Sequence, residues 1–479
     1  MDTPKGVNIV SSKWVFKLKC LPDGRIDRYK ARLVARGFSQ QHGIDYYETF
    51  APVVRLESLR ILLAIAARED LEVHQMDVVT AYLAGELEEE IYMEPPAGLP
   101  NSEGKVCKLL RGLYGLKQSA RVWNQRIARE LKRSGMRATS ADLSVWVNQD
   151  HSLILALYVD DIVLFARETQ AIRWAKEILT KSFNMKDLGP ISTVLGMRIR
   201  RDRAQRRLWV DQSHYVSDIL REFQYDECRP IQTPADGYEY LRPVGAEDVP
   251  FAETARYQRA IGELNWLVRG TRVDLAFVVH KLSQHCHKPC ERHWKGVQQV
   301  LRYLKFSQGF ALCYEQDSKE LVGYSDADFA SDTSDRKSTM GYAYLLSGAV
   351  VTWASRKQQT ISTSTTEAEY VGLCNAAKEA VWIRNFLRDT GRSIYAGGTR
   401  ATRIFGDNQG ALRLVANPEF HSKSKHIDVQ YHYVRELLEK GITTVEYVPT
   451  SKMAADCLTK PLKKGQLEAN LDILGLREE

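Results

Sequence analysis

The chain contains no run of 18 or more apolar residues, and no apolar core follows Met1. Neither a membrane-spanning helix nor a conventional secretory signal is therefore expected. Its eight cysteines fall without a spaced framework, which argues against a disulfide scaffold and for a reducing, intracellular setting. The densest grouping, His285, Cys286, His287, Cys290 and His293, fits no familiar zinc-ligand spacing and continues a helical pattern, so it reads as helix-end residues. A dominant charge of one sign is also lacking. The net charge of +7, from 67 basic and 60 acidic residues, is compatible with a polyanionic partner without defining one. What is present is ordinary globular material. The 479 residues, 44% hydrophobic and 27% charged, are enough for roughly two to four domains, each with its own core.

The first strand, Lys13 to Lys19, begins close to Met1, an abrupt start that suggests a fragment of something longer. Pro22-Asp23-Gly24 turns the chain into a second strand, Arg28 to Arg36. The resulting hairpin is basic: Lys30, Arg32 and Arg36 could grip phosphate or simply form a solvated face. An apolar helix is expected over Ser58 to Arg68 and a strand over Leu71 to Val78, with Asp77 near its end. A buried strand-end carboxylate needs a partner, a metal, or a helix to cap. Glu86 to Glu90 reads as a solvated acidic turn. Gly112 and Gly115 would allow close backbone approach before a helix over Ser119 to Arg133. Another helix is expected over Ala171 to Phe183. The arginines at 198, 200, 201, 203, 206 and 207 could track a nucleic-acid backbone or form a solvated hairpin. A polar linker over 229–250 and helices over 254–306 precede a second domain, read as three antiparallel strands, a long helix over 365–389 and alternating strand and helix.

Two sets of acidic residues carry the chemistry. Tyr158-Val159-Asp160-Asp161 lies between the apolar runs Leu153–Leu157 and Ile162–Phe165, a hairpin with carboxylates at its tip. Aspartate suits a turn, but two carboxylates on a buried hairpin repel each other, and a divalent ion would relieve that; on local grounds both readings are open. In the second domain Asp326 and Asp407 follow strands, Glu367 opens the long helix and Asp456 falls in the final helix. Each has a plainer role available: Ser364-Thr365-Thr366-Glu367 fits a capping box, and Asp407 could cap the next helix. Together they form the set that two-metal phosphodiester chemistry requires.

Gln75-Met76-Asp77-Val78-Val79-Thr80-Ala81-Tyr82-Leu83, Leu113-Tyr114-Gly115-Leu116-Lys117-Gln118-Ser119 and Tyr158-Val159-Asp160-Asp161 resemble the reverse transcriptase motifs of copia-type LTR retrotransposon Pol polyproteins. Ser325-Asp326-Ala327-Asp328, Ser362 to Tyr370, Asp407-Asn408-Gln409, Lys425-His426-Ile427-Asp428 and Ala455-Asp456-Cys457-Leu458-Thr459-Lys460-Pro461-Leu462 resemble the ribonuclease H domain of the same polyproteins, in the same order.

The resemblance implies an α+β and α/β multidomain chain: a right-hand polymerase (fingers, palm, thumb) over 1–230, a linker and helical connection over 231–310, a ribonuclease H-like mixed sheet with flanking helices over 311–465, and a tail over 466–479. It implies Asp77, Asp160 and Asp161 as polymerase metal ligands, with the Val78 backbone, Tyr82, Gln118, Lys30 and Arg32 around the nucleotide. It likewise implies Asp326, Glu367, Asp407 and Asp456 as ribonuclease H ligands, Glu367 being preferred to Glu369 because it directly follows the threonine pair. Mg²⁺, two per site, is the implied cofactor, with Mn²⁺ as an alternative. Implied partners are an RNA template, a DNA primer, an RNA–DNA hybrid and dNTPs, with a Gag particle and integrase from the same element and no membrane. The implied location is cytoplasmic and particle-associated, with access to the nucleus.

Some features depart from the pattern. The loop Pro449-Thr450-Ser451-Lys452 lacks the histidine that retroviral relatives often carry, so a helper histidine is either missing or supplied from elsewhere, with His426 as the candidate. Protease, integrase and nucleocapsid segments are not found, and the first fingers residues look short, as in the C-terminal part of a Pol polyprotein. The expected function is RNA- and DNA-directed DNA polymerase with ribonuclease H. The alternative is a catalytically silent, nucleic-acid-binding remnant.

Overall fold

The structure is a computed structural model that describes residues 1–20, 25–317, 319–416 and 425–478. The turn Pro22-Asp23-Gly24 and the side chain of His426 lie outside the described residues. No helix among the described residues is long and apolar enough to cross a membrane. The chain forms two compact units that do not follow sequence order. Met1–Val54 and Glu72–Pro190 make the first, and Arg55–Leu71 and Ile191–Glu479 make the second.

The first unit is built on a six-stranded antiparallel sheet. Its order is Met185–Pro190, Glu72–Val78, Asp161–Ala166, Leu153–Tyr158, Val145–Val147 and Arg137–Ala138. Alternate residues of the central strands (Met76 and Val78, Ile162 and Leu164, Leu155 and Leu157) share one face, as the two-residue period of a strand requires. Onto them pack Trp123, Ile127 and Leu131 of the helix Ser119–Arg133 and Ile172, Ala175 and Leu179 of the helix Thr169–Ser182, each at helical spacing. Glu86–Glu90 is not a turn. It opens the strand Glu86–Met93, whose exposed glutamates alternate with less exposed residues. The expected basic hairpin is present, with Val15 paired to Arg32 and Lys17 to Lys30. Gly115 has φ +94°, and a Cβ there would sit 1.9 Å from the Ala35 carbonyl oxygen. A bare backbone is needed at that crossing.

The second unit takes its first helix from far upstream. Leu56–Glu69 buries Leu59, Ile61, Leu62, Leu63 and Ile65. Buried Arg60 donates from Nε to the Val351 carbonyl at 2.8 Å and from Nη1 to those of Arg269 and Gly270 at 2.6 and 2.9 Å, with its guanidinium 3.9 Å from the Trp353 ring centre. Arg201 and Arg203 reach Asp70 at 2.6 and 3.2 Å, Arg198 and Arg200 reach Asp211 at 3.0 and 3.3 Å, and Arg207 reaches Glu315 at 3.3 Å. The arginine run is therefore a hairpin, Met197–Asp202 and Arg207–Asp211, whose charges are largely paired within the unit.

Phe310–Glu315 does not open the second domain's sheet as expected. It pairs with Arg207–Asp211 on one side and Leu476–Glu478 on the other, so the stretch 466–479 carries part of a helix and an edge strand. The second domain's own sheet is five-stranded and mixed. Its order is Ala349–Lys357, Thr339–Leu346, Val322–Ala327, Thr402–Gly406 and Thr443–Tyr447, the first three antiparallel and the last two joined in parallel. The long helix Thr365–Asp389 lies against it, with the Tyr344 hydroxyl donating to the Ala376 carbonyl at 2.6 Å. The chain is thus an α+β and α/β multidomain protein, with an antiparallel sheet in one unit and a mixed sheet flanked by helices in the other.

At the cysteine–histidine grouping, Cys290 and His293 form a capping box on the helix Glu291–Phe306, and His293 Nε2 lies 2.9 Å from the Arg242 carbonyl. His285 and His293 stack with ring centres 3.7 Å apart. Helix-end residues are what the structure shows.

Candidate active sites

In the first unit, antiparallel register places Asp161 directly opposite Asp77, and the amide of Val78 donates to the Asp160 carbonyl at 2.9 Å. Asp160 stands in the two-residue turn between Tyr158 and Asp161. Its neighbour Val159 has φ +56°, an uncomfortable conformation for a β-branched residue, and the Trp123 indole N–H clasps the Val159 carbonyl at 2.7 Å. Burial and then Asp160 push the Asp77 carboxyl above the usual range, against the pull of Lys30, Lys186 and Arg28. Burial raises Asp161 too, helped by Asp160 and Asp77 and opposed by Gln75, whose amide donates to its Oδ1 at 3.0 Å. Mutual repulsion of this kind is what a cation relieves.

Around this hairpin, half-buried Tyr82 meets Tyr114 edge-on with ring centres 4.6 Å apart, and the Arg32 guanidinium lies 5.5 Å from the Tyr114 ring centre. Lys30 is close enough to act on Asp77. Gln118 is different. It is buried, and its amide serves Gln40 at 3.0 Å, the Asp45 carbonyl at 2.7 Å and Glu89 at 3.2 Å. Those contacts tie a loop to the helix start.

In the second unit, Asp326 lies on the strand Val322–Ala327, Asp407 follows Thr402–Gly406, and Asp456 is in a short 3₁₀ turn, Ala454–Leu458, instead of a long final helix. Among the described residues these are the one set of three whose carboxylate oxygens all lie within 4.8 Å of one another. The capping contact at the next helix is made by Asn408, which accepts from the Ala411 amide at 3.0 Å, while Asp407 accepts from the Thr450 hydroxyl at 2.7 Å. Thr459 donates to Asp326, and Gln466 to Asp456 Oδ2 at 3.1 Å. Asp456 Oδ1 is buried, and Lys460 Nζ lies 2.8 Å from it, an ion pair within the cluster. Three converging carboxylates with a single ammonium among them are a donor set that fits a divalent cation.

Glu367, expected as the fourth ligand, is turned to other work. Its carboxylate accepts from the Thr363 amide at 2.8 Å and the Thr363 hydroxyl at 2.6 Å, while its own amide donates to Ser364 Oγ. It is Glu369 that senses the cluster. Burial, followed by Asp326 and then Asp407, drives its pKa up to about 10. Burial and then Asp326 carry Asp456 up to about 7, and burial above all raises Asp326. The signal for Thr459 and Lys460 was present in the sequence, because both belong to the Asp456 motif. Thr450 occupies the loop in which retroviral relatives often carry a histidine.

The acidic hairpin lies in the part of the chain that fits the reverse transcriptase class, and the acidic cluster stands at the strand ends of a separate mixed sheet. The family model described as reverse transcriptase (RNA-dependent DNA polymerase) matches residues 1–236. The retrovirus-related Pol polyprotein from transposon TNT 1-94 of Nicotiana tabacum is 39% identical over 485 residues, covering 99% of this chain and 36% of that protein. A putative transposon Ty5-1 protein of Saccharomyces cerevisiae is 31% identical over 302 residues, covering 62% of this chain and 97% of that protein. The solved foamy viral protease-reverse transcriptase in complex with RNA/DNA hybrid aligns at TM-score 0.46 and 13% identity, over 92% of this chain and 50% of that one. The chain belongs to the reverse transcriptase family of copia-type retrotransposon Pol polyproteins. It spans about a third of the length of the curated Pol polyproteins it matches.

Proposed function

We propose that the chain copies retroelement RNA into DNA and degrades the RNA of the resulting hybrid, with residues 1–230 acting as polymerase, 231–310 as connection and 311–465 as ribonuclease H. The observation that carries this reading is the pairing of Asp161 with Asp77 beside Asp160 at a strained, clasped turn. Asp77, Asp160 and Asp161 would hold Mg²⁺ in the first site, and Asp326, Asp407, Asp456 and Glu369 in the second, two ions each, with Mn²⁺ as a substitute. Such ions would polarise phosphate oxygens and ease deprotonation of the attacking hydroxyl or water.

The chain's own residues do the rest. Lys30 and Arg32 face a triphosphate with positive charge. Tyr82, braced by Tyr114, blocks the space that a ribose 2′-hydroxyl would need. Gln118 holds the pocket's loop in place from behind instead of touching nucleotide. Gln75 and Trp123 fix the hairpin, and Thr450 and Thr459 orient Asp407 and Asp326. The substrates are then an RNA template, a DNA primer, dNTPs and an RNA–DNA hybrid. A Gag particle and integrase would accompany the chain in cytoplasmic particles with access to the nucleus.

Mg²⁺-dependent primer extension on an RNA template tests the polymerase. Incorporation is expected from the natural chain and not from Asp160→Asn, and equal incorporation by both refutes the assignment. Cleavage of a hybrid's RNA strand, lost in Asp326→Asn, tests the nuclease. A chain that binds duplex but shows neither activity is a silent remnant.

A further inference from the structure

Lys460 is the cation already inside the second acidic cluster. Its ammonium lies 2.8 Å from Asp456 Oδ1 and 3.7 Å from Asp326 Oδ2, two carboxylates whose side chains are 0% and 3% exposed. The placement is built by the backbone. The amides of Thr459 and Lys460 both donate to the Asp456 carbonyl at 3.1 Å, so the turn that presents Asp456 also returns the lysine over it. Thr459, one residue earlier, donates to Asp326 from the same turn. The lysine side chain is 34% exposed, so its flexible stem has a route to solvent, whereas the aspartates do not.

Three carboxylates this close repel strongly at low dielectric, and one ammonium among them offsets part of that repulsion. Any divalent ion that enters must meet the same oxygens. We infer that Lys460 is a built-in counter-ion that holds the cluster together without metal and competes with the metal for Asp456 and Asp326, so that it sets the metal concentration at which this site fills. The inference rests on reading Asp326, Asp407 and Asp456 as metal ligands. It makes Lys460 a positioning residue, acting through the carboxylates.

The test is Mg²⁺ binding by the full chain, followed by calorimetry and by thermal unfolding. The difference between each protein and its Asp326→Asn counterpart isolates this cluster from the other. Lys460→Met is expected to melt at a lower temperature without metal and to fill at a Mg²⁺ concentration roughly tenfold lower, because one opposing charge has gone. Lys460→Arg keeps the charge and is expected to fill near the natural midpoint. Lys464→Met removes a charge from outside the cluster and is expected to change nothing. A Lys460→Met midpoint equal to or higher than the natural one overturns the inference. If Lys460→Met is unfolded without metal, refolding at Mg²⁺ levels too low to shift the natural chain supports it, and unfolding that Mg²⁺ does not reverse overturns it. Should the natural chain show no Mg²⁺ effect that Asp326→Asn removes, the metal-site reading itself fails, a result distinct from any of these.

Discussion

Glu367 and Glu369 sit two residues apart on one helix, and the structure gives them opposite liabilities. Glu367 accepts two hydrogen bonds from Thr363 at the helix N-terminus, at 2.8 and 2.6 Å. Replacing it with alanine should cost about 1–2 kcal/mol, the usual worth of a capping contact with a charged acceptor. It should leave the acidic cluster untouched. Glu369 is held protonated across neutral pH when no metal is present, its pKa pushed to about 10 by burial and by Asp326 and Asp407. Glutamine matches the protonated acid in shape and adds no charge, so Glu369→Gln should leave metal-free stability within about 1 kcal/mol. It cannot, however, supply an anionic ligand oxygen. Hybrid cleavage should fall by at least about a hundredfold, since even indirect support of a metal site is worth 10–100-fold. Urea denaturation and a labelled-hybrid cleavage assay, run on both variants, read the two effects separately. If Glu369→Gln cleaves normally while folded Glu367→Ala is inactive, the assignment of the fourth ligand is wrong.

Other consequences can be measured in the same way. Asp456 has its pKa raised to about 7, so in the metal-free protein its contribution to stability is full below about pH 3.8 and drains away as pH rises towards 7. The slope is at most about 1.4 kcal/mol per pH unit; chemical denaturation across that window should show it flattened in Asp456→Asn, and an unchanged slope would remove Asp456 as its source. Arg60→Met strips three carbonyls of their donor, two of them in buried hydrogen bonds, and should destabilise the second unit by about 3 kcal/mol or more in urea titration; a loss under 1 kcal/mol, the worth of a surface pair, would mean that those carbonyls find other partners. Tyr82→Ala opens the space beside Tyr114 and should raise incorporation of ribonucleotides relative to deoxyribonucleotides; an unchanged ratio would place the discrimination elsewhere.

Much of the site was legible because its signals are local. The acidic hairpin shows as two apolar runs around a polar tip, and the long helix was found at its full extent because capping and periodicity agree there. What was not legible depended on orientation or on distant pairing. Adjacent glutamates on a helix point about 200° apart after two residues, and which of them meets the sheet is set by strands that are far away in sequence. The motif order favoured Glu367, while the capping box at Ser364, visible from the start, already gave that residue something else to do. The arginine run stays open between a nucleic-acid surface and a solvated hairpin on sequence alone, because Asp70, Asp211 and Glu315 gather around it only in three dimensions. Phe310–Glu315 reads like its successors, and only its ladder partners reveal a different sheet.

The helix Leu56–Glu69 has a bearing on how such a chain can be divided or lost. It is encoded inside the polymerase reading yet is part of the core of the unit that carries the second acidic cluster. A fragment beginning at Ile191 would leave a trough lined by Val351, Trp353 and the Gly270 carbonyl with no helix to fill it. A single cut between motifs would therefore not yield two working halves. A deletion through this stretch would take a core helix from the second unit as well, so the two proposed activities would be lost together.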